Sequence, residues 1–358
     1  MLRRCKSLLA VLDPQLTLCV LLLLATGVLT MYSAGADFPG RFAMHLRNVL
    51  IALVIMWAVA CVPPQTLMRY AAPIYAAGVL LLLAVFMMGE IKKGSRRWLY
   101  IGFDIQPSEM MKIAMPLMLA WFFHQYASLA RWKTFAVAAL LLLIPAALIM
   151  KQPDLGTALL VLAAGAYVIV LAGLSWKAMG ALVAGAAASI PIAWPLLHDY
   201  QHQRVLTMLN PEADPLGKGF QIKQAGIAIG SGGLDGKGWL QGTQGHLGFV
   251  PERTTDFIFS VYAEEFGLLG IAVLLTLYFL LIARGLAITA GATTLFARLL
   301  GGAVTMIFFT YAFINIGMVS GVVPVVGVPL PFISYGGTAL TTLGIGAGIL
   351  MAIRRQRA

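Results

Sequence analysis

The stretch Pro251-Glu252-Arg253-Thr254-Thr255-Asp256 opens directly onto a long apolar run, Phe257 to Ile282. A run of that length is what a membrane-spanning helix requires, since about 20 apolar residues are needed to cross the hydrocarbon core. The residues before it are polar, so the chain passes from water to lipid at this point. Asp256 stands at that passage. An ionisable group at the edge of a span is costly and calls for a reason.

Outward from this junction the same signal recurs. The chain has 358 residues, 60% hydrophobic and only 11% charged, with a mean hydropathy of +0.88. A soluble domain is about half apolar and a quarter charged. The sequence predicts an all-α polytopic membrane protein, a single integral membrane domain over 1–358 with no separate soluble domain. Ten transmembrane helices are expected, at 15–33, 45–62, 72–89, 107–125, 134–150, 155–174, 178–197, 256–282, 299–319 and 331–353. Lys151-Gln152-Pro153-Asp154 separates the fifth from the sixth, because a proline and two charges interrupt the apolar run. The first span reads as an uncleaved signal anchor, because no small-residue cleavage site follows the basic N-terminus.

The formal net charge is +11. With ten spans, Arg3, Arg4, Lys6, Arg69, Arg131, Lys133, Lys177, Arg284, Arg298, Arg354, Arg355 and Arg357 all fall on one side. That side is the cytoplasm, with both termini inside. The large loop 198–255, between the seventh and eighth spans, then faces the periplasm, as do 90–106 and 151–154. These loops should be poor in cations. Yet the first carries Lys92, Lys93, Arg96 and Arg97 beside Trp98, and the last carries Arg204, Lys218, Lys223, Lys237 and Arg253. Long loops translocate regardless of charge, which is one reading. An anionic ligand at the outer leaflet is the other, and it suits the compact first loop better. The scattered basic residues, without an aromatic-rich polar domain, argue against nucleic acid. Cys5, Cys19 and Cys61 predict no disulfide framework and show no metal-ligand spacing.

Three acidic groups begin spans on the outer side. Gln106-Pro107-Ser108-Glu109 opens the fourth, and Lys112 follows on the same helix face. Two readings stand for Glu109 and Lys112: a neutral ion pair at the membrane boundary, or a cation held ready for phosphate. Gln152-Pro153-Asp154-Leu155-Gly156-Thr157 opens the sixth span, where Asp154 suits an N-cap. Asp256 opens the eighth, with Ser260 and Ala263 near its face and Glu264 deeper and offset. A cap reading is available for Asp256 as well. In the glycine-rich outer loop, Ile222 to Ile229 has helical spacing and suits a helix along the interface. Tyr311, Asn315 and Ser334-Tyr335-Gly336-Gly337, near the ends of the last two spans, read as close helix packing.

Taken together, these segments resemble the SEDS family (shape, elongation, division and sporulation). The residues that carry the resemblance are Gln106-Pro107-Ser108-Glu109 with Lys112, Gln152-Pro153-Asp154-Leu155-Gly156-Thr157, Pro251 to Phe259, and Pro329-Leu330-Pro331-Phe332-Ile333-Ser334-Tyr335-Gly336-Gly337. The likeness covers all ten expected spans in order. Arg253 and Val325-Val326-Gly327-Val328-Pro329 bring it closer to the RodA branch than to the FtsW branch.

The resemblance implies a peptidoglycan glycosyltransferase that polymerises lipid II into glycan strands at the outer face of the bacterial inner membrane during elongation. It implies work beside a class B penicillin-binding protein and other elongation-complex proteins. It assigns the family's essential aspartate to Asp256, its functional Glu and Lys to Glu109 and Lys112, and a further aspartate to Asp154. The expected reaction inverts configuration: a sugar hydroxyl attacks the undecaprenyl-pyrophosphate-linked glycan, and the lipid pyrophosphate leaves. Such a displacement needs a base and charge stabilisation for the leaving group. Asp256 is the candidate base. Lys112, Arg96, Arg97 and Arg204 are candidate clamps, with Trp98 beside them. A divalent cation bridging carboxylate and pyrophosphate is compatible with the sequence and not required by it. Two rival classes stand beside it: a lipid II flippase, which would use the same cationic groups, and a non-catalytic cell-wall scaffold, which would not require the outer carboxylates. Transporters usually bind at the midplane, so carboxylates at span ends favour surface chemistry.

Overall fold

The computed structural model describes residues 11–92, 95–100, 104–126, 132–196, 199–210, 212, 214 and 217–356. Its architecture is a helical bundle with a small outer sheet. In chain order the helices are α1 (Pro14–Ala34), α2 (Arg41–Ala60), α3 (Pro64–Met88), α4 (Pro107–Gln125), α5 (Trp132–Lys151), α6 (Leu155–Leu171) and α7 (Trp176–Ala193). Three short helices follow in the large loop, α8 (Asp199–Leu209), α9 (Lys218–Ser231) and α10 (Thr243–His246). The chain closes with α11 (Ile258–Ala290), α12 (Leu295–Val319) and α13 (Gly337–Arg355). Among the described residues, seven of these helices are long and apolar enough to cross a membrane: α1, α2, α3, α5, α11, α12 and α13. The structure is thus mostly helical and built for a membrane. α4, α6 and α7 occupy the other expected spans.

Several boundaries differ from the expected ones, for physical reasons. Only Cys61, Val62 and Pro63 separate α2 from α3, because Pro64 starts the next helix at its first position, where a missing N–H costs nothing. The segment expected to begin the last span at 331 is a turn through Gly336, and α13 starts only at Gly337. The expected loop 90–106 contains a three-stranded antiparallel sheet, with strands β1 (Glu90–Lys92), β2 (Ser95–Tyr100) and β3 (Asp104–Ile105). The helix expected over Ile222 to Ile229 is α9; Ile222, Ala225 and Ala228 form its buried stripe.

Without a hydrophobic drive between helices in lipid, close packing and hydrogen bonds hold the bundle. α2 packs most extensively on α13. Gly344 and Gly348, four apart on α13, make this possible. A Cβ at Gly344 would meet the Ala52 carbonyl at 2.8 Å, and one at Gly348 the Met56 carbonyl at 2.5 Å. α12 is buried along most of its length, between α11, α6 and α4. α7 has nearly every described side chain on the surface.

α11 is broken near its N-terminal end. Gly267 has φ 62° and ψ −160°, a left-handed backbone that favours glycine. A break inside a span frees backbone groups, which must find partners within the protein. The segment 233–238 supplies them. Leu268 and Leu269 N–H donate to the Gly233 and Leu234 carbonyls at 2.9 and 3.1 Å, while Lys237 and Gly238 N–H donate to the Glu264 and Glu265 carbonyls, both at 3.0 Å.

Candidate active site

α4 begins with Pro107 at its first position, and its first turn carries the buried residues Ser108 and Glu109. One turn on, Lys112 is 2% exposed. Its ammonium donates to Glu109 Oε1 at 2.5 Å and to the Tyr311 hydroxyl of α12 at 2.6 Å. Removing such a charge from water is costly unless it is paired and hydrogen-bonded, and both conditions are met. The ion-pair reading of Glu109 and Lys112 is therefore the one the geometry carries directly. Glu109 Oε2 and Ser108 Oγ are shielded and have no hydrogen-bond partner among the described residues.

Asp154 both caps and connects. Its Oδ1 accepts from Thr157 N–H at 3.2 Å, which caps α6, and its Oδ2 accepts from Gln106 Nε2 at 3.1 Å. Arg97 of β2 reaches the same carboxylate at 3.6 Å and donates to the Pro153 carbonyl at 2.7 Å. The expected residues Arg97 and Asp154 are thus brought together, and with Gln106 they join the outer sheet to the mouths of α4 and α6. Trp98 lies beside Arg97 on β2, partly exposed and paired across the strand with Glu90. The side chain of Arg96, the other cation expected here, lies outside the described residues.

Asp256 does not cap α11. The cap position is Phe257, with no side-chain cap bond, and the helix starts at Ile258. The cap reading fails because the chain turns through 251–257 and the helix starts one residue too late for Asp256 to hold the cap position. Asp256 is half-buried, and its Oδ2 faces Gly327, where an added Cβ would lie 3.4 Å away. Asn315 of α12 donates from Nδ2 to the Asp256 carbonyl and to the Val328 carbonyl, both at 2.8 Å. Ser334 Oγ donates to the Thr255 carbonyl at 2.7 Å, and Tyr335 N–H to the Thr254 carbonyl at 2.9 Å. Asn315 and Ser334, expected to serve packing, instead hold the segment that carries Asp256. The sequence signal was present: a buried amide and hydroxyl in apolar surroundings must find polar partners.

The outer-loop cations divide. Arg253 is 5% exposed; its Nε donates to the Ala34 carbonyl at 3.0 Å and its guanidinium pairs with Asp37. Lys237 donates to buried Glu264 at 2.6 Å, and Lys223 pairs with Glu212 at the surface. Arg253 and Lys237 are thus paired within the protein. Arg204 lines a cavity of 290 Å³ with Gln201, Leu155, Leu159, Val205, Ile314, Val323, Pro324 and Val326. The wall Val323-Pro324-Val326 continues into Gly327, so the cavity that Arg204 lines and the residue that Asp256 Oδ2 faces adjoin along one short segment. Glu264, offset in the sequence reading, faces the outer loop rather than Asp256. It accepts from Lys237, from Thr243 N–H at 2.9 Å and Oγ1 at 3.0 Å, and from Gln244 N–H at 3.1 Å. Among the described residues, no group of three or more His, Cys, Asp or Glu is arranged to hold a metal ion.

This order of segments and the near-complete run of helices match a known family. The model of the cell cycle protein family FtsW/RodA/SpoVE matches residues 13–358. The chain belongs to the FtsW/RodA/SpoVE family. Within it, the chain is 50% identical over 348 residues to the peptidoglycan glycosyltransferase MrdB of Escherichia coli K12, which covers 97% of this chain and 94% of that one. It is 34% identical to the stage V sporulation protein E of Bacillus subtilis, over 96% of this chain and 97% of that one. Among solved structures, it resembles a chain of a peptidoglycan synthase complex that coordinates polymerization and crosslinking, with a TM-score of 0.84 and 34% identity. That match covers 97% of this chain and 98% of the other. The rod shape determining protein RodA of Thermus thermophilus matches with a TM-score of 0.73 and 30% identity, over 97% of both chains. The expected family and its RodA-type branch are borne out.

Proposed function

We infer that this family member is a peptidoglycan glycosyltransferase, and we propose that it polymerises lipid II with Asp256 as the base. One observation carries the reading: the Asp256 carboxylate and the Arg204-bearing apolar groove both border the segment 323–327. A substrate made of sugar, diphosphate and polyprenyl chain needs those elements side by side. The apolar groove suits the lipid chain. Arg204 suits the diphosphate, because a guanidinium can engage phosphate oxygens bidentately. Lys112 is assigned to the same leaving group. Glu109 and Tyr311 take two of its three ammonium hydrogens, which leaves one for a phosphate oxygen.

In the reaction, the attacking sugar hydroxyl gives its proton to Asp256 as its oxygen bonds to the anomeric carbon. The bond from that carbon to the pyrophosphate oxygen breaks, and undecaprenyl pyrophosphate leaves with the electron pair. The configuration inverts. Asp256 is the carboxylate that would hold a divalent cation, and such a cation would supply positive charge to the leaving pyrophosphate. We place the site on the periplasmic side of the inner membrane, with ten spans, both termini cytoplasmic and the loop 198–255 outside. The partner we assign is a class B penicillin-binding protein. The likeness to a chain of a complex that coordinates polymerization with crosslinking supports it.

The test is polymer formation from labelled lipid II in detergent, by the purified chain alone and with a class B penicillin-binding protein of the same organism. Wild type should make polymer. Asp256→Asn should fold, insert and polymerise at least about 100-fold more slowly. Near-normal polymer from Asp256→Asn sinks the assignment. A wild type that makes no polymer under either condition favours a flippase or a scaffold, neither of which joins sugars.

A further inference from the structure

We propose that Asn315 and Ser334 are positioning residues for the glycosyl transfer, acting through the backbone that carries Asp256. The inference rests on the reading of Asp256 as base. Three consecutive carbonyls, of Thr254, Thr255 and Asp256, each accept a hydrogen bond from α12 or from the turn before α13. The donors are Tyr335 N–H, Ser334 Oγ and Asn315 Nδ2. In a helix that began at Asp256, the Asp256 carbonyl would point down its axis. Here Phe257 holds the cap position with ψ 16° and α11 begins at Ile258, so the carbonyls are turned outward to those donors.

The clamp reaches the other wall of the site as well. Asn315 spends its second amide hydrogen on the Val328 carbonyl, next to the Gly327 that faces Asp256 Oδ2. Ser334 Oγ accepts from Leu330 N–H at 2.8 Å while it donates to Thr255. One amide therefore sets the spacing between the carboxylate's own backbone and the segment it faces, and one hydroxyl sets the turn beside it. Asn315 is fully buried and Ser334 is 2% exposed. Both amide hydrogens of Asn315 and the Ser334 hydroxyl hydrogen go to backbone carbonyls, so neither residue is a base or a clamp on phosphate. Their work is geometric, and displacement of a reacting group by about 1 Å can cost about 100-fold in rate.

The experiment compares Asn315→Leu and Ser334→Ala with wild type and Asp256→Asn in the full-length purified protein. Asn315→Leu keeps the branching and approximate volume while removing both donors. Ser334→Ala removes one hydroxyl and is the milder change. Kinetics of polymerisation from lipid II are read with the thermal midpoint in the same detergent. A positioning role lowers kcat by about 10- to 100-fold, with KM for lipid II within about twofold, and the midpoint of Ser334→Ala near wild type. Wild-type kcat in Ser334→Ala and Asn315→Leu, with Asp256→Asn inactive, overturns this inference and leaves the reading of Asp256 intact. A loss of kcat that tracks the midpoint in both variants also overturns it, because the role is then one of folding. Normal polymerisation by Asp256→Asn overturns the base assignment and this inference with it.

Discussion

Tyr311 and Asn315 stand one turn apart on α12, and each ties the outer end of a different helix to it. Tyr311 receives Lys112 of α4 at 2.6 Å, and Asn315 holds the Asp256 carbonyl ahead of α11 at 2.8 Å. Four residues of helix rise about 6 Å. The proposed base and the proposed diphosphate cation are therefore registered against one buried helix rather than against mobile loops. A site built on rigid elements keeps its geometry better than one built on loops. Whatever tilts α12 displaces both groups together.

The Glu109–Lys112 pair separates fold from function by substitution. Lys112→Met leaves a shielded carboxylate without its counter-charge and should cost about 3 kcal/mol of stability. Glu109→Met combined with Lys112→Met removes both charges and should recover most of that loss, because buried ion pairs are often replaceable by apolar groups. Polymerisation by the double variant should stay at least about 10-fold low, read against its thermal midpoint in detergent. Recovery of both would reduce the pair to a structural bridge.

Gly327 faces the Asp256 carboxylate with φ +76°, a backbone that side chains other than glycine disfavour. Gly327→Ala should cost about 1–2 kcal/mol from that backbone. Its Cβ would also stand in ordinary contact with Oδ2 and narrow the approach of a sugar hydroxyl. The expected result is a polymerisation rate about 10-fold down or more, beyond what the stability loss explains. An unchanged rate at a lowered thermal midpoint would place substrate on another side of Asp256.

Much of this was legible in the sequence, because apolar length reports a span directly. The bounds of α4 were read at 107–125, since Pro107 and a polar segment mark its start. The late start of α13 was not legible, because Pro331 to Gly336 is uncharged and hydropathy does not see a turn. The outer sheet was hidden in a short, highly charged segment. Asp154 and Arg97 were named separately, and only the fold shows that they share a carboxylate contact. Arg253 and Lys237 looked like excess cations because their partners, Asp37 and Glu264, are distant in the chain. Asn315 and Ser334 read as packing for the opposite reason: small polar groups suit helix contacts, and the sequence does not show which carbonyl each will meet.

Glu264 should govern the docking of the outer loop on α11. Its fully buried carboxylate collects Lys237, Thr243 and Gln244 beside the break at Gly267. Glu264→Ala removes the acceptor shared by Lys237, Thr243 and Gln244, at a cost of about 2 kcal/mol. Limited proteolysis should then cut within 232–247 faster than in wild type, while Lys223→Ala, at an exposed surface pair, changes nothing. Equal cleavage of Glu264→Ala and wild type would mean that the backbone bonds at the Gly267 break hold the loop without it.

Asp13 supplies a pH test at the opposite end of the bundle. It caps α1 by accepting from Leu16 N–H at 2.7 Å, and it takes Arg284 at 2.7 Å and Arg354 at 2.8 Å, which joins α1, α11 and α13. Burial alone would raise its carboxyl. The Arg284 and Leu16 hydrogen bonds, with the charges of Arg284 and Arg354, outweigh burial and hold it below the ordinary value. A carboxyl depressed in the fold stabilises above its unfolded pKa of about 4, and that contribution is lost as pH falls through the folded value. Asp13→Asn should therefore be about 2 kcal/mol less stable than wild type at pH 7. The difference should persist down to about pH 4 and close below it. Thermal midpoints of both proteins in one detergent across pH 3 to 7 check this, and a gap that does not narrow at the acid end would assign the effect to packing instead of charge.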